Sequence, residues 1–337
     1  YGNPRLGMMK WAAGARGRSL YIRHEGGRHM DSVFEEQAWL SCAVRMAEAG
    51  RSTAGPLYGT EAGRLELGQG AGGDRTLEID RACEAAMMTV LEAEAPGPYR
   101  LIAEESGMSG PHDAPWTVVV DPLDGSLNAK RGLEPFCVSI AVADGPRLSD
   151  VRVAYIEDYL RPRSYAAVRG RGLFALASAP GGLQQTEGRS LVPLQLDSSR
   201  FTDMSVELVL LEAGRPDRHG FRYQDLSHVG VVGHSRDMRV RQIGSLALAL
   251  CHVAVGVGDV LVAAVRSRAV DIAAGLLVLG EAGGGAVALG GDDVLRQPLD
   301  LEKRCGFFAW RAGIDGEALR NRARGLEAVL TGTVKAS

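Results

Sequence analysis

The stretch "WTVVVDPLDGSLN", residues 116–128, constrains this chain more than any other. Four β-branched residues, Thr117 to Val120, run without a polar break and stop at Asp121-Pro122. A short apolar run closed by acid, Pro and Gly is the pattern of a buried strand that ends in a tight turn. Acids in such a turn are either turn and cap residues or ligands of something positive.

The rest of the chain supplies elements to cover that strand. Phe34, Trp39, Ala43, Met46 and Ala47 recur at helical spacing over 31–50, and Gly50 is expected to end that helix. A second helix is predicted for "LEIDRACEAAMMTVLEAE", with Ile79, Cys83, Ala86, Met87 and Val90 on one face and Asp80 near its start. "YRLIAEESG", "FCVSIAVA", "VRVAYIE" and "SYAAVRGRGLFAL" read as strands, the last of them a hairpin around Gly170-Arg171-Gly172. Beyond the turn-rich residues 178–200, "GSLALALCHVAVG" reads as a helix and "GDVLVAAV" as a strand. "DIAAGLLVLGEAGG" reads as a helix with Asp271 as its N-cap and a Gly cluster at its end. The class is α+β, with sheets covered by helices.

Between the first two helices, residues 51–75 are Gly-rich and read as a loop with one short strand. "GQGAGG" within it fits the GxGxxG pattern of a dinucleotide site, but no βαβ unit surrounds it. The first 29 residues lack helical or strand period and the apolar core of a signal peptide. They are expected to be a disordered leader or cloning remnant without chemistry. A single domain is expected over 30–335, with an N-terminal lobe at 30–193 and a C-terminal lobe at 194–335.

A net charge of -3 offers no basic footprint for nucleic acid, and no apolar run reaches the length of a membrane span. The five cysteines are scattered singly, which suits a reducing, cytoplasmic setting and excludes a disulfide framework or zinc ribbon. The seven histidines form no paired cluster.

The acidic turn can now be read more sharply. One class of phosphatases places a nucleophilic Asp two residues before the Asp of Asp-Gly-[Ser/Thr]; here that position is Pro122, and the covalent reading fails. The spacing Asp121-Pro122-Leu123-Asp124 aims two carboxylates from one turn at a common point. They repel each other, and a hard divalent cation such as Mg²⁺ resolves the repulsion. The Gly125 and Ser126 amides at the start of a helix suit a phosphate oxygen. The plain alternative is that Asp124 caps a helix, "AEES" is a solvated strand end and Asp271 is an N-cap only.

"AEES", "WTVVVDPLDGSLN", "GSLALALCHVAVGVGD" and "VDIAAGLLVLGEAGG" occur in the order and spacing of the inositol monophosphatase family, which the chain resembles from about Met30 nearly to its C-terminus. "GGDRTLEID" and "RAVDIAA" resemble its archaeal-type branch, where one enzyme serves both inositol monophosphate and fructose 1,6-bisphosphate. The resemblance implies a layered α-β-α-β-α sandwich, two or three Mg²⁺ ions, and a homodimer. It implies that Glu104, Asp121, Asp124, Asp271 and the Leu123 carbonyl hold metal. Asp80, with the Ser126 hydroxyl, is implied to activate the attacking water. Gly125 and Ser126 are implied to bind phosphate, Gly244 and Ser245 to meet the alcohol portion, and Glu105 to stand behind the metal ligands.

The chain departs from the family at Asn128-Ala129, where an aromatic usually follows the Asn, and at Ala264, which replaces a substrate-contacting Glu or Arg. Arg266 and Arg268 stand near that gap and read either as its substitutes or, the plainer reading, as surface charges. Arg236, Arg239 and Arg241 read either as a grip on a second phosphate or as a solvated strand face. The expected function is Mg²⁺-dependent hydrolysis of a small polyol or sugar phosphate, inositol 1-phosphate first and fructose 1,6-bisphosphate second. Other superfamily substrates are nucleotide 3′-phosphates, histidinol phosphate and NADP. A non-catalytic partner of transcription or RNA machinery is the rival of another class, and a dinucleotide enzyme resting on "GQGAGG" a further one.

Overall fold

The first helix, α1, runs Arg28–Leu57 and passes through Gly50, where the sequence suggested it would stop. A Cβ at Gly50 would run into the hydroxyl of Tyr159, so this glycine serves close packing and not termination. The structure, a computed structural model, describes residues 28–161, 163–176, 191–194, 204–209, 238–263, 267–302 and 306–321. The predicted leader lies outside the described residues except for its last two, which open α1.

A small antiparallel hairpin follows, β1 (Glu66–Gln69) and β2 (Arg75–Leu77), where one short strand was expected. "GQGAGG" covers the end of β1 and the turn of this hairpin, with no βαβ unit, which removes the dinucleotide reading. Helix α2 is Glu78–Glu94.

The next strands are β3 (Tyr99–Ala103), β4 (Gly107–Ser109), β5 (Trp116–Asp124), β6 (Cys137–Ala143), β7 (Val151–Asp158), β8 (Ser164–Val168), β9 (Gly172–Leu176) and β10 (Leu191–Pro193). They form one eight-stranded sheet in the order β10-β9-β8-β7-β6-β5-β3-β4. β8 and β9 make the hairpin foreseen around Gly170–Gly172. A short helix α3 (Ser126–Arg131) leaves the end of β5.

A second sheet has β11 (Met204–Val209), β12 (Met238–Arg241), β13 (Val260–Ala263), β14 (Gly285–Ala288) and β15 (Phe307–Trp310), ordered β12-β11-β13-β15-β14. Helices α4 (Leu246–Ala254) and α5 (Ala269–Glu281) connect its strands. Parallel and antiparallel pairs mix in both sheets, as the α+β reading requires.

β5 explains its own sequence. It is flanked by β3 and β6, and its side chains alternate between two cores. Val118 and Val120 join Trp39, Met46, Ile79 and Met87 of α1 and α2. Val119 faces the other way, into a cluster with Leu248 and Leu250 of α4, Leu277 of α5 and Phe307 of the second sheet. A strand buried on both faces has no polar positions to alternate, hence the unbroken apolar run. The layers are thus α1/α2, the large sheet, α4/α5 and the small sheet. No helix of the described residues is long and apolar enough to cross a membrane.

Candidate active site

The acids sit where layers meet. β5 pairs with β6 through Asp121↔Ser139, slips register over Pro122 and Leu123, and resumes at Asp124↔Cys137. Such a bulge re-aims side chains at a strand end. Asp121 is only 2% exposed, and its Oδ1 accepts the Leu123 N–H at 2.9 Å. Asp124 Oδ2 accepts the Ser245 hydroxyl at 2.7 Å and the Ala247 N–H at 2.6 Å, tying the turn to the start of α4. Ser245 is buried and caps that helix, accepting from Leu248 N–H at 3.3 Å; its hydroxyl therefore positions Asp124.

Gly125 adopts φ 99°, a left-handed conformation that strains other residues, and any Cβ there would lie 3.1 Å from Phe136 Cβ. Ser126 Oγ donates to the Leu123 carbonyl at 3.1 Å. The Asn128 side chain donates to the carbonyls of Pro135 and Ile243, both at 2.8 Å, and so fastens the acidic turn to the segment that holds Gly244. Ala129 points into the core with α1 and α2 and lines no open wall.

Asp80 and Asp271 occupy equivalent places. Each is the third residue of its helix, and each accepts the N–H of the residue before the helix: Leu77 at 2.9 Å, Arg268 at 2.6 Å. Asp271 is thus not the N-cap; Arg268 is. An acid in a first turn also complements the positive end of the helix dipole.

Glu104 and Glu105 form the β3–β4 turn. Glu84 of α2, which sequence reasoning passed over, holds that turn by accepting the Glu105 N–H at 2.9 Å and the Ser106 N–H at 2.8 Å. The tip of the β1–β2 hairpin docks on the same turn: Gly72 N–H donates to the Glu104 carbonyl at 2.8 Å, Ala71 N–H to that of Glu105 at 3.1 Å. Thr76 donates its hydroxyl to the Glu105 carboxylate.

Arg268 overturns the surface-charge reading. It is 6% exposed and lies among the acids, donating from Nη2 to Glu104 Oε1 at 2.7 Å and to Asp271 Oδ1 at 2.8 Å. No signal in "SRAVD" marks it, because its partners come from other elements. Ala264, Arg266 and Arg236 lie outside the described residues, while Arg239 and Arg241 fall on β12, with Arg241 exposed.

Asp80, Glu104, Asp121, Asp124 and Asp271 share one electrostatically linked region, Asp80 and Asp121 buried and the other three partly so. Burial pushes the Asp80 carboxyl up to about 8, against the Leu77 hydrogen bond and with help from Glu105 and Glu104; the Ser126 hydroxyl beside it pulls the other way. Its Oδ1 is buried and has no hydrogen-bond partner. Burial raises Asp121 well above the carboxylate range, aided by Glu104, Asp124 and Asp271. It raises Asp124 to about 6 despite the Ser245 hydroxyl, and Glu105 to about 7 despite the Thr76 hydroxyl. Glu104 is raised by burial, with Arg268 opposing. Among the described residues no three of these groups close on one point in a ready metal cage, since Glu104 and Asp271 are turned onto Arg268. The donor set nonetheless fits a hard divalent cation: oxygen only, buried, mutually repelling, with one acceptor left over.

Comparisons with known proteins agree with this architecture. Residues 36–321 match the Inositol monophosphatase family. The chain is 32% identical over 257 residues to the "Fructose-1,6-bisphosphatase/inositol-1-monophosphatase" of Methanothermobacter thermautotrophicus, covering 73% of this chain and 82% of that one. It is 33% identical over 212 residues to the "Nus factor SuhB" of Pasteurella multocida, covering 63% and 70%. The solved inositol monophosphatase of Anabaena (Nostoc) sp. PCC 7120 superposes with a TM-score of 0.60 over 89% of this chain and 97% of that one, at 22% identity. The layered sandwich is that fold, and by sequence and likeness to the archaeal-type branch the chain belongs to the inositol monophosphatase family of phosphatases.

Proposed function

We propose that the chain hydrolyses the phosphomonoester of a small polyol or sugar, inositol 1-phosphate first and fructose 1,6-bisphosphate second, with Mg²⁺ as cofactor. The observation that carries this reading is Asp80 Oδ1, a buried acceptor without a partner on a carboxyl raised to about 8, set among four further acids. Glu104, Asp121, Asp124, Asp271 and the Leu123 carbonyl would hold two or three Mg²⁺ ions. Bound there, Mg²⁺ supplies charge neutralisation of the phosphate dianion and acidification of water.

The chain's own groups do the rest. Asp80 takes the proton of the attacking water at Oδ1, directly or through Ser126, a task suited to a group whose pKa lies near the working pH. The Gly125 and Ser126 amides face the phosphate. Asn128 keeps their turn in register with Gly244 and Ser245, beside which the alcohol portion lies. Water attacks phosphorus as the bond from phosphorus to the bridging oxygen breaks; one water proton passes to Asp80, the departing alkoxide takes a proton from solvent to leave as the alcohol, and Asp80 returns its proton to solvent. A scaffold has no need of five acids held in one electrostatically linked region, which weighs against a purely binding role. Likeness to the family supports a homodimer, and the scattered cysteines a cytoplasmic setting.

Phosphate release from a panel of esters tests the reading. Asp121→Asn should lower turnover by at least about a hundredfold, the order expected when a group stabilising transition-state charge is lost, while circular dichroism stays unchanged. Activity that persists in EDTA, or in that variant, would contradict it.

A further inference from the structure

Arg268 takes no part in the chemistry above, yet it joins two parts of the molecule that the chemistry needs. Its Nη2 bridges Glu104 Oε1 and Asp271 Oδ1, and its Nε lies 3.3 Å from Asp271 Oδ2. The other arm reaches the β1–β2 hairpin: Nη1 donates to the Gly72 carbonyl at 3.1 Å and pairs with Asp74 Oδ2 at 3.1 Å. Gly72 can lie this close only because it has no Cβ; one would run into Nη1. The same hairpin tip rests on the Glu104–Glu105 turn through the Ala71 and Gly72 amides.

A guanidinium this deeply buried is held in place by its carboxylates. Burial works against its charge, and Asp271 and Glu104 more than offset that penalty. Two of its three ionic partners are therefore residues proposed to bind metal, and the third, Asp74, is 54% exposed. A cation that takes the Glu104 and Asp271 oxygens takes them from Arg268.

The geometry points to Arg268 as the resident counter-charge of the Glu104–Asp271 pair, one that a divalent ion must displace, loosening the hairpin tip at Gly70–Asp74 as it does so. This rests on the metal-dependent reading, and the test separates the two. The chain of residues 1–337 is titrated with Mg²⁺ alone by calorimetry, and exchange of the Ala71 and Gly72 amides is followed with and without Mg²⁺. In the unmutated protein both amides should exchange faster as Mg²⁺ saturates. Arg268→Gln should bind Mg²⁺ about tenfold more tightly, the order of one charge-assisted hydrogen bond released from competition. Its hairpin amides should exchange fast without the ion and respond little to it. Arg268→Lys keeps the charge but cannot fork between four acceptors; it should fall between the two, and it decides the matter should the glutamine variant not fold. If the variants bind Mg²⁺ no more tightly while Asp121→Asn loses binding, the displacement idea fails and the metal reading stands. If the unmutated chain and the variants all fail to bind Mg²⁺, both are overturned.

Discussion

Asp80 shows how much a single residue's surroundings dictate. Its carboxyl is raised from 3.8 to about 8, chiefly by burial. A group whose pKa is higher folded than unfolded binds its proton more tightly in the native state. Its contribution to stability is complete below pH about 4, the unfolded value, and is lost as pH rises through about 8. Glu105, raised to about 7, and Asp124, raised to about 6, act in the same direction over narrower windows. The metal-free protein should therefore lose stability steadily between pH 5 and 8, and Asp80→Asn should flatten that slope. Urea unfolding in EDTA at several pH values reads this directly; a stability that climbs over the window would show that these acids are ionised and paired in the native state. Asp121 and Asp124 stand out in the sequence because a buried apolar run ends on them, whereas the place of Asp80 came from resemblance to the family. Arg268 and Glu84 were not legible in this way. Arg268 stood out only through its nearness to Ala264 and Glu84 not at all, and only the meeting of α2, α5 and the β3–β4 turn gives them partners.

At the scale of elements, β5 was readable because being buried on two faces leaves a continuous apolar run, and β8–β9 because Gly-Arg-Gly marks a hairpin. Helix ends were less so. In sequence Gly50 reads as a stop although it is an interior packing position, and Asp271 as a cap although it is the third residue of its helix. In both cases local propensity allowed the wrong reading and tertiary contacts decided. The Gly50 contact also reaches the acids. The Tyr159 hydroxyl against it donates to the Pro122 carbonyl at 2.8 Å, inside the bulge between Asp121 and Asp124. Gly50→Ala should thus lower stability by about 1–3 kcal/mol through overpacking, and should lower phosphate release as Tyr159 is pushed off Pro122. Tyr159→Phe, which removes the hydroxyl, should restore stability in the double variant. Denaturant melts of the two single variants and the pair measure that coupling; purely additive losses would separate the helix contact from the turn.

The whole molecule brings together acids distant in sequence by closing one face of the large sheet with α2 and the other with α5. Asp80 comes from the first layer, Glu104, Asp121 and Asp124 from the sheet, and Asp271 from the third. The order of layers came from resemblance to the family; the alternation of helices and strands gave only sheets covered by helices. A site assembled across three layers should report on the fold as a unit. Mg²⁺ binding only the native arrangement should raise the melting temperature, by more as its concentration exceeds the dissociation constant. The effect has a definite pH dependence. The ion requires ionised carboxylates, and burial holds Asp124 protonated below about 6 and raises Asp121 well above the usual carboxylate range. The Mg²⁺-induced shift should therefore be small at pH 5, grow through pH 6 to 8, and offset the stability the metal-free protein loses over that range. Asp121→Asn should show the melting behaviour of the metal-free protein whether or not Mg²⁺ is present. Scanning calorimetry at matched ionic strength, with Ca²⁺ as a poorly fitting control, checks each part. A shift that shrinks as pH rises would mean that Mg²⁺ acts elsewhere than on these acids.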